Sequence, residues 1–167
     1  MAVTTVREAA AGDWPAIWRV LEPVLRAGET YTYPRDITEQ DAKVAWTAEA
    51  GARVLVALDD DGTTVLGTAK YRPNHPGAGS HVAGASFVVS PDAAGRGIGR
   101  RLGEAVISEA RAHGFRAMQF NAVVETNERA VALWQSLGFE VLTTVPEAFA
   151  HPAHGFVGLH IMYRRLD

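Results

Sequence analysis

Apolar residues recur every three or four positions, the spacing of an amphipathic helix, most clearly after Asp13 and after Ile98. Asp13 is a preferred residue at the start of a helix, and Gly28 is a preferred residue just past a helix end. Thr38 followed by Asp41 is a weaker capping pattern. Together these signals predict helices over residues 13–28, 38–51, 98–114 and 127–137.

Short apolar runs bounded by turn residues predict the strands. They cover residues 3–8, 54–58, 65–71, 81–89, 117–124, 140–144 and 156–163, and a loop rich in Pro and His is expected over 146–155. Most connections permit antiparallel pairing, so the chain is predicted to be an α+β protein. We expect a mixed, mostly antiparallel sheet flanked by about four helices. No repeat or linker is evident, and residues 1–167 are expected to form a single domain.

Composition excludes several classes of protein. The chain has 167 residues, a net charge of −3 and no cysteine, which excludes disulfide scaffolds, thiolate metal sites and cysteine nucleophiles. The mildly acidic balance argues against bulk binding of nucleic acid. Arg7 and Glu8 stand where a signal peptide needs apolar residues, and no apolar run approaches the roughly 20 residues of a membrane helix. We therefore expect a cytoplasmic protein that binds neither nucleic acid nor membranes.

A glycine-rich turn joins a predicted strand to a predicted helix. Glycine lets the backbone approach a ligand closely, and the first N–H groups of a helix have no partner within it. Together with the helix dipole, these groups favour a phosphate. The turn consists of Gly95, Arg96, Gly97, Ile98, Gly99 and Arg100.

Several interpretations of this turn compete. A Walker A loop requires a lysine that the turn lacks, and a dinucleotide-binding fingerprint requires glycine where Leu102 stands. A third phosphate motif, in which Val-x-Pro leads from a strand into Gly-x-Gly-x-Gly, fits the residues as they stand. A helix start that only needs close packing fits them as well.

A second motif follows the turn at a suitable distance. Asn127, Ala130 and Leu133 lie at helical spacing, and Gly138 and Phe139 come after them. In this order the two motifs resemble the signatures of the GCN5-related N-acetyltransferase superfamily, over residues 87–139. The resemblance implies the fold of that superfamily and transfer of an acetyl group from acetyl-CoA to an amine, by direct attack in a ternary complex. No metal is implied, and the nearby His151 and His154 are interpreted as loop residues.

The resemblance also assigns residues to acetyl-CoA. The strand before the turn would pair its backbone with the pantetheine arm, and one of its N–H groups would polarise the thioester carbonyl. The strand residues that match are Phe87, Val88 and Val89. The turn from Gly95 to Arg100 would bind the pyrophosphate. Asn127 would contact the cofactor with its side chain, and it is also a preferred helix cap.

Three positions depart from the pattern of the superfamily. Ala94 replaces a Gln or Arg at the start of the turn, Trp134 replaces a tyrosine acid, and Ala122 replaces a glutamate base. A group must still collect the proton of the amine. Glu125 is the carboxylate expected to do so, with a solvent-facing role as the alternative. Asn121 is expected to bind a carboxylate or carbonyl of the substrate.

Residues 29–36 are expected to select the acceptor, because the first two helices form the acceptor wall in this superfamily. A small amino acid or amine would be recognised by a side chain that binds its cation, by aromatic side chains that enclose it, and by a side chain that binds a carboxylate. These are supplied by Glu29, Tyr31, Tyr33 and Arg35. Segments 29–34, 73–81 and 120–127 also resemble fungal acetyltransferases that act on proline analogues, with Gly84 where that group has an asparagine.

Two other functions stay open at this point. One is acetylation of protein or peptide amines, and the other is a regulatory domain that binds acetyl-CoA without catalysis, as Ala122 and Trp134 suggest. By analogy with the superfamily, a homodimer is also expected.

Overall fold

A computed structural model describes residues 4–167, so Val3, where the first strand is predicted to begin, lies outside the described residues. The strands are β1 (Thr5–Glu8), β2 (Arg53–Leu58), β3 (Val65–Pro73), β4 (Val82–Val89), β5 (Ala117–Val124), β6 (Glu140–His151) and β7 (Gly155–Arg165). The helices are α1 (Trp14–Ala27), α2 (Glu39–Thr47), α3 (Ile98–Ala112) and α4 (Glu128–Ser136).

The strands form one sheet in the order β1-β2-β3-β4-β5-β7-β6. Every neighbouring pair is antiparallel except β4 and β5, which are parallel. The predicted α+β class, with a mixed, mostly antiparallel sheet and about four helices, is therefore confirmed. Within residues 4–167, no helix is long and apolar enough to cross a membrane.

Alternation along the strands gives the sheet a core on each face. On one face, Val56 and Leu58 pack with α1 and α2, where Trp46 is 1% exposed. On the other face, Leu55 and Ala57 join the cluster that contains Leu102 of α3 and Trp134 of α4. Helices therefore cover both faces of the sheet.

Helix ends were predicted with mixed success. Thr38 caps α2 as expected, because its Oγ1 accepts a hydrogen bond from the Asp41 N–H over 3.1 Å. Gly28 ends α1 in the left-handed conformation, with φ of 68°. Asp13 stands at the N-cap position of α1 as predicted, but its side chain makes no capping hydrogen bond. Its carboxylate instead accepts from the Ala10 N–H and pairs with Arg7 at 2.7 Å.

The loop predicted over residues 146–155 is largely strand. β6 continues to His151, with a register shift between Val145 and Phe149 and a positive φ of 52° at Glu147. Pro146 suggested a loop, but a proline and a bulge are both tolerated in an edge strand, and β6 lies at the edge of the sheet.

Candidate active site

The parallel strands β4 and β5 separate halfway along their length. They pair from Val82 with Ala117 to Gly84 with Gln119, and beyond that point no pairing joins them. A cavity of about 670 Å³ occupies the gap, a volume typical of small-molecule sites. Its walls come from residues 30–33, β3, the second half of β4, the glycine turn, β5 and the start of α4.

The hydrogen bonds of β4 show which of its backbone groups face this gap. The Ser90 N–H bonds to Leu66 O on the β3 side, whereas His81 O accepts from the Arg116 N–H on the β5 side. Because these directions alternate along a strand, odd-numbered residues of β4 turn their N–H and C=O groups toward β5. Beyond Gly84, the backbones of Ala85, Phe87 and Val89 therefore face the cavity.

The glycine turn lies at one end of the cavity. Gly95 and Gly97 have φ of 78° and 75°, a conformation that favours glycine, and a Cβ at either position would meet nothing within 4 Å. Gly97 directly precedes α3, so the free N–H groups of the first turn of α3 open at the cavity. Backbone donors at a helix N-terminus fit a diphosphate without a lysine.

The predicted arginines of this turn have different positions. Arg100 lines the cavity, and its Nη2 donates to Ser136 Oγ over 2.6 Å. Arg96 is not among the lining residues. It forms an ion pair at 2.7 Å with Asp59, which lies in the turn between β2 and β3. Arg129, which sequence reasoning missed, also lines the cavity from the first turn of α4.

Close approach of α3 and α4 sets the shape of the cavity floor. A Cβ on Gly103 would lie 3.0 Å from the ring of Trp134, so glycine lets the two helices meet. The Trp134 ring packs against Phe87 and Phe120, with centroids 4.5 and 4.9 Å away. Asn127 caps α4 by accepting from the Ala130 N–H over 3.3 Å and lines the cavity as well, so its two expected roles are compatible.

Two cations from β3 form the opposite end of the cavity. Lys70 Nζ and Arg72 Nε donate to the same oxygen of Glu49, over 2.5 and 2.8 Å. Lys70 is nearly buried, with 5% of its side chain exposed, and it also donates to Ala45 O over 2.6 Å. Desolvation opposes ionisation of Glu49, but Lys70 and Arg72 outweigh it and lower its pKa. With one carboxylate for two cations, this end of the cavity is positively charged.

Sequence reasoning missed this cation pair. The available signal was a lysine inside the otherwise apolar run of residues 65–71, with an arginine two positions later on the same strand face.

The loop predicted to select the acceptor divides into two parts. Tyr31 and Tyr33 line the cavity and stack on each other, with ring centroids 6.0 Å apart. Arg35 instead folds back on the end of α1, where its Nε donates to Arg26 O over 2.7 Å. Glu29 lies in a separate depression of about 130 Å³ beside Asn127 and His151. The structure therefore brings the two tyrosines to the site, but neither Glu29 nor Arg35.

Of the two residues expected to act in catalysis, one lines the cavity. Asn121 does so, and its amide accepts from Gln119 over 3.0 Å and donates to Asn74 Oδ1 over 2.7 Å. Glu125 lies outside the lining, where its carboxylate accepts from the Gly158 N–H over 2.6 Å. Ala122 and Trp134 both line the cavity. None of the described residues that line it carries a carboxylate or an imidazole.

No ligand set for a metal accompanies this cavity. Within the described part of the chain, no group of three or more His, Cys, Asp or Glu side chains is placed to hold a metal ion.

Comparison with known proteins gives a consistent result. The family model described as the acetyltransferase (GNAT) family matches residues 14–139. The N-acetyltransferase aca1 of Schizosaccharomyces pombe is 36% identical over 100 residues, which are 59% of this chain and 48% of that protein. The chain thus spans about half the length of this fungal relative. The L-methionine sulfoximine/L-methionine sulfone acetyltransferase of Pseudomonas aeruginosa is 31% identical over 86% of this chain and 84% of its own length.

Solved structures agree over nearly the whole chain. A GCN5-related N-acetyltransferase from Kribbella flavida is 54% identical, with a TM-score of 0.92 and 97% of both chains covered. A GNAT superfamily phosphinothricin acetyltransferase from Sinorhizobium meliloti, solved in complex with acetyl-CoA, is 25% identical. Its TM-score is 0.86, over 97% of this chain and 88% of that one. The resemblances inferred from the two motifs and from the fungal segments are thereby confirmed.

Proposed function

Because this chain belongs to the GNAT acetyltransferase family and is an N-acetyltransferase, we propose that it acetylates a small amine that carries a carboxylate, with acetyl-CoA as the donor. One observation carries the proposal: a single cavity joins the glycine turn, the backbone of β4 and the Lys70–Arg72 pair. These three features match a diphosphate, a pantetheine arm and a carboxylate, in that order along the cavity.

The donor end is suited to coenzyme A. The N–H groups after Gly97 and the guanidinium of Arg100 would hold the diphosphate, with Arg129 as a further cation. The backbone groups of Phe87 and Val89 would hold the pantetheine arm, as an added strand would pair with a sheet edge, whereas those of Val88 are directed toward β3. Acetyl-CoA supplies an activated thioester, so positioning the amine provides much of the rate.

The acceptor end is suited to an amino acid or a similar compound. Arg72 and Lys70 would bind its carboxylate, while Tyr31 and Tyr33 form an apolar wall beside them. Asn121 would bind a second polar group of the acceptor, with its amide oriented by Gln119 and Asn74. Two relatives support an amino-acid-like acceptor, the L-methionine sulfoximine/L-methionine sulfone acetyltransferase and the phosphinothricin acetyltransferase.

Proton removal differs from the general-base scheme that Glu125 suggested. Its carboxylate is held by the Gly158 N–H, and Glu49 is a weak base because Lys70 and Arg72 lower its pKa. We therefore propose that the acceptor loses its proton to water and attacks as the neutral amine, and that Glu125 stabilises the junction of β5 and β7. Transfer then forms the N–C bond of the amide and breaks the C–S bond. The nitrogen releases its remaining excess proton to water, and the thiolate takes a proton from solvent.

One observation favours a second candidate. The cavity lacks a lining carboxylate or imidazole among the described residues, as a regulatory domain that binds acetyl-CoA without turning it over would. Calorimetry with acetyl-CoA, followed by mass detection of acetylated product with an amine panel, separates the two. The enzyme yields product, whereas the regulatory domain binds acetyl-CoA and yields none.

A homodimer is proposed from three exposed apolar side chains of the β6–β7 hairpin. Leu142, Val145 and Phe156 are 56%, 44% and 71% exposed there. Sedimentation equilibrium should give twice the monomer mass of 17.9 kDa, and Phe156→Ser with Leu142→Ser should return the monomer. A monomeric wild-type protein would contradict this assembly.

A further inference from the structure

The hydroxyl of Tyr31 is bonded to both backbone groups of one residue of β4. It donates to Phe87 O over 2.6 Å and accepts from the Phe87 N–H over 2.9 Å. Burial raises the pKa of Tyr31 well above its ordinary value, so the hydroxyl stays protonated and keeps both bonds. A loop residue thus occupies the backbone of a strand 56 positions away.

Phe87 lies in the part of β4 whose odd-numbered residues face the gap. Ala85 and Val89 on either side turn their backbone groups in the same direction. A pantetheine arm lying along this edge has to reach the same N–H and C=O groups that the Tyr31 hydroxyl holds. An N–H group makes one strong hydrogen bond, so the hydroxyl and the ligand exclude each other at Phe87.

We propose that the Tyr31 hydroxyl is a built-in competitor for the backbone of Phe87, which the pantetheine arm of acetyl-CoA displaces when it binds. This inference rests on the proposed function, because it takes coenzyme A as the ligand of β4. Tyr31 is then a residue that limits cofactor affinity and does not take part in the transfer of the acetyl group.

Tyr31 also contacts residues at the acceptor end of the cavity. Its ring stacks on Tyr33 and meets Trp46 edge-on at 6.4 Å. Tyr33 in turn lies 3.4 Å from Lys70 Nζ, and Trp46 lies beneath the same ammonium group at 5.3 Å. Direct side-chain contacts therefore join Tyr31 to the residues at the acceptor end of the cavity.

Calorimetry on wild type and Tyr31→Phe tests this competition. The variant keeps the ring and removes only the hydroxyl, so two hydrogen bonds no longer have to be broken before the arm binds. At a net value of about 0.5–1.5 kcal/mol for each of the two bonds, the Kd for CoA and acetyl-CoA should fall by roughly five- to 150-fold. Tyr71→Phe is the matched control, because the Tyr71 hydroxyl bonds Glu109 and His113 outside the cavity, and it should leave both Kd values unchanged.

A Kd for CoA that is unchanged or higher in Tyr31→Phe would overturn the inference. If the Tyr31 hydroxyl supports β4 for the cofactor, Tyr31→Phe binds CoA equally or more weakly. Wild-type protein that binds neither CoA nor acetyl-CoA overturns the proposed function instead, before the variant is considered.

A second measurement needs no variant. A crystal structure of the wild-type protein with CoA should place the Tyr31 hydroxyl beyond hydrogen-bond distance of the Phe87 nitrogen, with a pantetheine group in its place. A hydroxyl still bonded to Phe87 in that complex would overturn the competition.

Discussion

Lys70 and Glu49 form a short ion pair, 2.5 Å between Nζ and Oε2, although Lys70 lies in the interior strand β3 and Glu49 follows α2. Arg72 shares the same carboxylate oxygen at 2.8 Å. A single carboxylate between two cations leaves positive charge beside the cavity. The pair thus holds α2 against the sheet and also provides a place for an acceptor carboxylate.

Loss of Arg72 should weaken the binding of acceptors that carry a carboxylate. Arg72→Gln removes charge-assisted hydrogen bonds, so KM for an amino-acid acceptor should rise by roughly 10- to 100-fold. The comparison compound is the matching amine, which has the same structure without the carboxylate. Its KM and the Kd for acetyl-CoA should not change. Steady-state kinetics with the two acceptors measures this difference.

Arg53→Gln is the matched control for that experiment, since Arg53 lies on β2 and pairs with Glu8 at 3.6 Å. An equal rise in KM for both acceptors with Arg72→Gln would place the carboxylate elsewhere.

A charge at Gly97 should abolish cofactor binding without unfolding the protein. Gly97→Glu puts a carboxylate at the start of α3, where the helix dipole and the free N–H groups favour an anionic ligand. A side chain at φ of 75° costs about 1 kcal/mol but meets no atom within 4 Å. Calorimetry with acetyl-CoA and a thermal unfolding curve measure the two effects.

Gly62→Glu controls for the backbone cost, because Gly62 has φ of 71° and equally open space in the β2–β3 turn. This variant should bind acetyl-CoA as wild type does. Normal binding by Gly97→Glu would show that the diphosphate lies elsewhere.

Replacement of Glu125 should affect folding more than turnover. Its carboxylate accepts from the Gly158 N–H over 2.6 Å, and the amide oxygen of Gln can accept the same bond. Glu125→Gln should therefore keep kcat within about threefold, whereas Glu125→Ala should lower the free energy of unfolding by about 1 kcal/mol. A large fall in kcat for a folded Glu125→Gln would identify Glu125 as the base.

Glu49 should make the free energy of unfolding depend on pH in the acid range. Lys70 and Arg72 lower its pKa below the ordinary 4.5, so the folded protein binds its proton more weakly than the unfolded chain. Its contribution is complete above the unfolded pKa and is lost as the pH falls through the folded pKa. Urea unfolding at a series of pH values should show a smaller loss in Glu49→Gln than in wild type. Parallel curves for the two proteins would contradict the coupling.

The sequence predicted local features best, because they depend on neighbours in the chain. The strand over 117–124 matches the structure at both ends, and the glycine turn precedes α3 as expected. Contacts between segments that are distant in the chain could not be predicted from such local patterns. Neither the meeting of Tyr31 with Phe87 nor the sharing of Glu49 by Lys70 and Arg72 has a local signature. Arg35 and Glu125 have suitable side chains, but the fold directs both to backbone groups outside the cavity.

Mass detection of products tests the proposed activity most directly. The protein is incubated with acetyl-CoA and with pairs of acceptors, each an amino acid and the amine that lacks its carboxylate. Acetylated amino acids should form with release of CoA, and each should form faster than its partner amine at low acceptor concentration. Protein that binds acetyl-CoA but acetylates no member of the panel, or that acetylates both members of each pair equally, would contradict the proposed function.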